Sequence, residues 1–79
     1  MINMVRIQPA LKRMGFGRSQ GYKRMKQGLL PRGVKIGARA AALSDGEIDA
    51  MNRAHLAGAS DDELRKLVER LHAARKGVQ

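Results

Sequence analysis

The chain has no cysteine and no tryptophan, and its aromatic side chains are limited to Phe16 and Tyr22. Without cysteine there can be no disulfide framework, and no thiolate is present to bind a metal or attack a substrate. Two aromatics cannot build a platform for stacking successive unpaired bases, which argues against a single-strand binder. His55 and His72 lack the mutual spacing of paired ligands, so a zinc site is not expected. Long apolar runs are missing too, so no membrane span is expected, and nothing after Met1 reads as an apolar leader core. A soluble, cytoplasmic (nucleoid-associated) protein is the expectation. No nucleophile–base pair is indicated, and Gly15-Phe16-Gly17 is too short to cradle a phosphate. Neither an enzyme nor a cofactor is expected.

The most informative absence is that of acidic residues from the first half. No Asp or Glu precedes Asp45, whereas that stretch carries ten Lys or Arg residues. The remainder holds six basic and seven acidic residues, and the whole chain of 79 residues has a formal net charge of +9. A wholly positive surface repels itself, a cost best tolerated where an anionic partner meets it. A solubilising face would explain surplus lysine but not the lack of acids, so a polyanion is the favoured partner. A chain of this length buries only about 60% of its unfolded surface, so the core must be small.

The pattern of residues is mainly helical. Pro9 to Met14 places Ala10, Leu11 and Met14 at helical spacing after a proline suited to a first turn. Gly15-Phe16-Gly17 reads as a tight turn, and Arg18 to Gln27 as a second helix with Tyr22 and Met25 on one side, stopped by Gly28. Two short helices joined by such a turn form a helix-turn-helix. Leu30-Pro31-Arg32-Gly33 is turn-like. The alternation in Val34-Lys35-Ile36 then predicts a strand with Val34 and Ile36 facing inward, and Ala40 to Leu43 its return, with Arg39 beside the tip. The result is a small basic wing.

Two further helices are better signalled. Ser44-Asp45-Gly46-Glu47 and Ser60-Asp61-Asp62-Glu63 are both capping boxes. Ile48, Met51 and His55 or Leu56 form the inner face of the first, which Gly58 ends. Leu64, Leu67, Val68 and Leu71 give the second the clearest amphipathic stripe in the chain. The predicted fold is therefore a winged helix-turn-helix over residues 1–58, mainly α with a small β-hairpin, and an amphipathic helix over 59–79. That last helix either closes the core or, through Leu64, Leu67, Val68 and Leu71, serves self-association.

Residues Arg6 to about Met51 resemble the AlpA family of prophage regulators, relatives of MerR-type and excisionase winged helix-turn-helix domains. The resemblance rests on Leu11-Lys12-Arg13-Met14-Gly15, on the run from Arg18 to Gly28, on Leu30 to Ala40, and on Glu47-Ile48-Asp49-Ala50. Three positions depart from the family pattern. Gly21 and Arg24 stand where the family usually has aliphatic residues, and Leu43 replaces a frequent tryptophan. Gly21 is expected to cost about 1 kcal/mol of helix propensity.

The resemblance implies that the second helix enters the major groove, with Arg18, Gln20 and Lys23 as candidates for base edges. Ser19 and Tyr22 could reach phosphates through their hydroxyls, although the resemblance and the spacing to Met25 place the Tyr22 ring in the core with its hydroxyl at the rim. Lys12 and Arg13 read as phosphate contacts, Lys35 and Arg39 as wing contacts, and Arg24 completes the candidate set. Lys26 and Arg32 are equally well read as contacts or as solvated charges. The implied function is a sequence-specific DNA-binding transcriptional regulator of a prophage or integrative element. The same contacts would serve an excisionase directing an integrase, and an RNA-binding protein or an adaptor built on the last helix are the other classes. One short recognition helix rarely suffices alone, so a homodimer or a cooperative array on duplex DNA is expected.

Overall fold

The computed structural model, which describes residues 2–77, contains four helices and a small antiparallel sheet. The element order is β1 (Met4–Arg6), α1 (Ile7–Arg13), α2 (Arg18–Lys26), β2 (Val34–Gly37), β3 (Ala40–Ser44), α3 (Asp45–Leu56) and α4 (Asp61–Arg75). The sheet has three strands in the order β1-β3-β2, where the sequence predicts a two-stranded hairpin. The additional strand, β1, is only three residues long and runs directly into α1, too short for alternation to announce it. It lies along β3 with Met4 opposite Ser44 and Arg6 opposite Ala42. Helix α1 consequently starts at Ile7 rather than Pro9. Pro9 still falls in the first turn, where its missing N–H is no loss.

The central strand reads Ala-Ala-Ala-Leu-Ser, and Ala42 and Leu43 are fully buried. Small side chains there let α1 lie close on the sheet, with Ile7, Ala10, Leu11 and Met14 buried. Pairing of β2 with β3 is interrupted between Lys35 and Gly37, because Lys35 lies opposite Ala41 and Gly37 opposite Ala40. Ile36 is the extra residue. A bulge of this kind breaks the two-residue alternation, so Ile36 is 49% exposed instead of facing inward with Val34.

The turn-like stretch after α2 is also more than a connection. Leu29, Leu30 and Pro31 are buried, so the chain between α2 and the hairpin is itself a core element. Gly28 ends α2 in the left-handed region at φ 78°, the conformation in which glycine carries no penalty.

Both capping boxes form. Ser44 Oγ accepts from the Glu47 N–H and Glu47 returns a carboxylate oxygen to the Ser44 N–H, and Ser60 and Glu63 repeat the arrangement. In α3, Ile48 and Met51 are fully buried and His55 takes the next inner position, leaving Leu56 90% exposed. In α4, Leu64 and Val68 belong to the same core cluster as Leu11, Leu30 and Met51. Those two members of the anticipated self-association stripe are thus consumed within the chain. Leu67 and Leu71 are half-buried against the same core.

Polar contacts attach α4 to the segment between α2 and the hairpin. Arg65 Nε donates to the Gln27 carbonyl at 3.1 Å, and the Arg32 N–H donates to His72 Nε2 at 3.0 Å. Arg75 donates from Nη2 to the Arg32 carbonyl at 2.7 Å and from Nε to Glu47 Oε2 at 2.6 Å. Burial of Glu47 opposes its ionisation, but the hydrogen bond and charge of Arg75 and the capping interactions with Ser44 outweigh it, and its carboxyl lies below the ordinary range. Burial, followed by the charges of Arg75 and Arg32, lowers the His72 pKa. Burial and the Arg24 charge lower that of His55.

These directions set the acid response. Below pH 6.5 the unfolded chain takes up protons on His55 and His72 more readily than the folded chain does. Acid therefore favours unfolding, because the state that binds more protons gains. The contribution is complete above pH 6.5 and is lost as the pH falls through that value toward the lowered pKa values. Below pH 4.5 Glu47 adds a loss of the same sign. Thermal melts should show a level midpoint near about pH 7–8 and a decline below it. His72→Gln, whose amide oxygen can accept the same Arg32 bond, should make that decline shallower. A midpoint that rises on acidification to about pH 5 would contradict the assignment.

Candidate nucleic-acid interface

Beside α2 the fold opens a groove of about 620 Å³ whose lining includes cations from four separate parts of the chain. Arg6 comes from the end of β1, Arg18 from the start of α2, Lys35 from β2 and Arg39 from the turn of the hairpin. Tyr22, one helical turn after Arg18, also lines the groove. None of these four cations is in an ion pair among the described residues, where the salt bridges are Arg13–Asp49, Arg65–Asp62 and Arg75–Glu47. Their mutual repulsion is left uncompensated by the protein, so the groove is strongly positive.

The neighbouring surface of α2 is exposed and polar. Ser19, Gln20 and Lys23 are all open to solvent, as is Lys12 on α1. Gly17, the N-cap of α2, supplies no side-chain cap. The first-turn amides of α2 therefore keep hydrogen bonds to offer outward.

Tyr22 departs from expectation. Its side chain is 47% exposed and faces the groove, whereas the core face of α2 is carried by Gly21 and the half-buried Met25. A Cβ placed on Gly21 would lie 2.5 Å from both methyl carbons of Leu11. The α2 backbone thus rests directly on the Leu11 side chain, and Leu11 fills the volume that a larger residue at position 21 would occupy. Gly21 is consequently a close-approach residue rather than a packing defect.

Arg24 is drawn away from the groove. Its guanidinium carbon lies 4.9 Å from the centre of the Phe16 ring, and Phe16 meets His55 edge-on at 5.8 Å between centroids. A cation held over a ring face is attracted by the ring quadrupole. Arg24 Nε and His55 Nε2 are both buried without hydrogen-bond partners. Arg13 is paired at the surface with Asp49 on α3 at 3.7 Å, while its carbonyl accepts from Asn52. Of the ten basic or polar residues anticipated for the interface, Arg18, Tyr22, Lys35 and Arg39 therefore converge on the groove. Lys12, Ser19, Gln20 and Lys23 lie on the open surface of α1 and α2, and Arg13 and Arg24 are engaged with other parts of the protein. The groove also holds Arg6, whose charge is evident in the sequence but whose strand is not.

Among the described residues no group of three or more His, Cys, Asp or Glu side chains could hold a metal ion. No described helix is long and apolar enough to cross a membrane. No curated protein and no solved structure matches the chain. Residues 3–55 match the family described as Prophage CP4-57 regulatory protein (AlpA), a match that runs from just before β1 into the last turn of α3 and stops before α4. It takes in well over half of the chain and all four cations of the groove. The chain belongs to the AlpA family of prophage regulatory proteins.

Proposed function

We propose that this regulator acts by binding duplex DNA at specific sequences, with α1 and α2 as a helix-turn-helix and the β2–β3 hairpin as its wing. The reading rests chiefly on the unpaired cations Arg6, Arg18, Lys35 and Arg39 gathered in one groove beside the exposed face of α2. A helix of nine residues presents about two and a half turns, enough to span a few base pairs in the major groove. In this reading Arg18, Gln20 and Lys23 reach base edges. Lys12, Arg6 and the hairpin cations Lys35 and Arg39 follow phosphates, and Tyr22 offers its hydroxyl from the groove wall. The small footprint implies that protomers bind in pairs or arrays. Of the apolar stripe of α4, the half-buried Leu67 and Leu71 are the members still partly open to such contact.

Base contacts and phosphate contacts respond differently to mutation, which supplies the test. Recovery of bound fragments from genomic DNA should yield a common motif. Arg18→Ala should then cost about 1–3 kcal/mol on that motif and far less on random duplex. Lys12→Ala should weaken both equally and lower the salt slope by about one. Equal losses on both duplexes for Arg18→Ala would remove α2 from the recognition role. Tight binding to folded RNA with indifference to duplex sequence would replace the DNA reading altogether.

A further inference from the structure

Helix α4 lies outside the family match, yet three of its side chains hold the backbone that joins α2 to the hairpin. Arg65 binds the carbonyl of Gln27, the C-cap residue of α2. Ten residues later, about 15 Å along the axis, Arg75 binds the carbonyl of Arg32, two residues before β2. His72, nearly one turn before Arg75, accepts from the N–H of the same Arg32. Both backbone polar groups of Arg32 are thus engaged by α4. Arg75 also binds one oxygen of Glu47, whose other oxygen caps the Ser44 N–H at the end of β3. The approach to the hairpin and the exit from it therefore converge on a single guanidinium.

We infer that α4 is a brace that fixes the hairpin relative to α2, with Arg75 as its positioning residue. Its importance for binding rests on the DNA reading given above. Arg18 and Tyr22 are carried by α2, whereas Lys35 and Arg39 are carried by the hairpin. The spacing of the groove cations is therefore the spacing of these two elements. A row of phosphates has its own fixed spacing, so a hairpin that drifts falls out of step with it while keeping its full charge. The role requires arginine. Its planar fork can serve a carboxylate and a carbonyl in one geometry, while a lysine ammonium can keep the charge beside Glu47 without holding both acceptors in those directions.

The lack of native cysteine allows a direct measurement. Nitroxide labels on Ser19→Cys and Ala38→Cys, both exposed positions, report the distance between α2 and the hairpin by pulsed electron paramagnetic resonance. Arg75→Lys should broaden the distance distribution while circular dichroism remains that of the folded chain. In unlabelled protein it should lower duplex affinity by about fivefold or more. Arg65→Ala, at an exposed position, should broaden the distribution as well, and it carries the test if Arg75→Lys fails to fold. Arg18→Ala should weaken DNA binding with no broadening. An unchanged distribution in the Arg75 and Arg65 variants overturns the brace, and a broadened one with full affinity overturns its role in binding. If the unaltered protein has no affinity for duplex DNA, the DNA reading falls, and the distance distribution alone decides whether α4 is a brace.

Discussion

Gly21→Ala is expected to destabilise the protein, by up to about 2 kcal/mol, even though alanine is the better helix former. Propensity alone favours the substitution by about 1 kcal/mol. Against it stands the contact with Leu11, whose two methyl carbons would lie 2.5 Å, and whose branching carbon 2.9 Å, from the new Cβ. The tips of a leucine could swing aside on a surface, but Leu11 is 1% exposed and packed on all sides. Overpacking of such a site costs about 1–3 kcal/mol, so repulsion exceeds the propensity gain. Leu11→Ala should cost about 2–5 kcal/mol through the cavity it leaves. The two changes should partly cancel when combined, because the added methyl then enters part of the vacated space. A coupling of about 1–2 kcal/mol is expected from urea denaturation of the four-protein cycle. A stabilised Gly21→Ala protein would show that Leu11 yields freely and that close approach does not set the α1–α2 distance. That distance matters beyond stability, since it determines how far α2 and its polar face stand out from the body of the protein.

The second large effect concerns the groove. Removing Arg6, Lys35 and Arg39 together should lower affinity for duplex DNA about a hundredfold near 0.15 M salt and reduce the salt slope by about 2.7. Both figures follow from the release of roughly 0.9 counterion for each phosphate that the protein neutralises. Stability should hold or rise slightly, because these cations make no ion pair among the described residues and repel one another. Fluorescence anisotropy over a salt series measures slope and affinity together. A triple variant that binds as well as the original protein would show that the groove does not face DNA. Arg24→Ala provides the contrast. Its guanidinium is occupied by Phe16, so its removal should disturb the packing of α2 against Phe16 more than the salt slope.

The features legible in the sequence are those whose governing interactions span only a few residues. A capping box closes across three residues, and both boxes could be read directly from Ser44-Asp45-Gly46-Glu47 and Ser60-Asp61-Asp62-Glu63. The stripe from Leu64 to Leu71 has helical period, and α4 follows it from Asp61 to Arg75. Missing acids are a matter of composition, so the positive character of the first half needed no structure. The family could be read as well, because its signature lies in ordered short segments.

Other features depended on residues distant along the chain. Strand β1 exists only because Met4–Arg6 finds β3 some forty residues later, and that pairing is what brings Arg6 into the groove. Ile36 alternates correctly in the sequence but is displaced by a bulge that becomes visible only in the register with β3. Tyr22 and Arg24 were separated by what lies beside each of them: the groove for one, Phe16 and His55 for the other. The helices of the second half, the charge of the first and the family follow from local stretches of the chain. The third strand, the membership of the groove, the seating of Gly21 on Leu11 and the attachment of α4 to the hairpin were decided by tertiary structure alone. Hydrogen-bond caps and helical periodicity act over one turn of chain, whereas close packing and strand register are set by whichever distant surface the chain meets on folding.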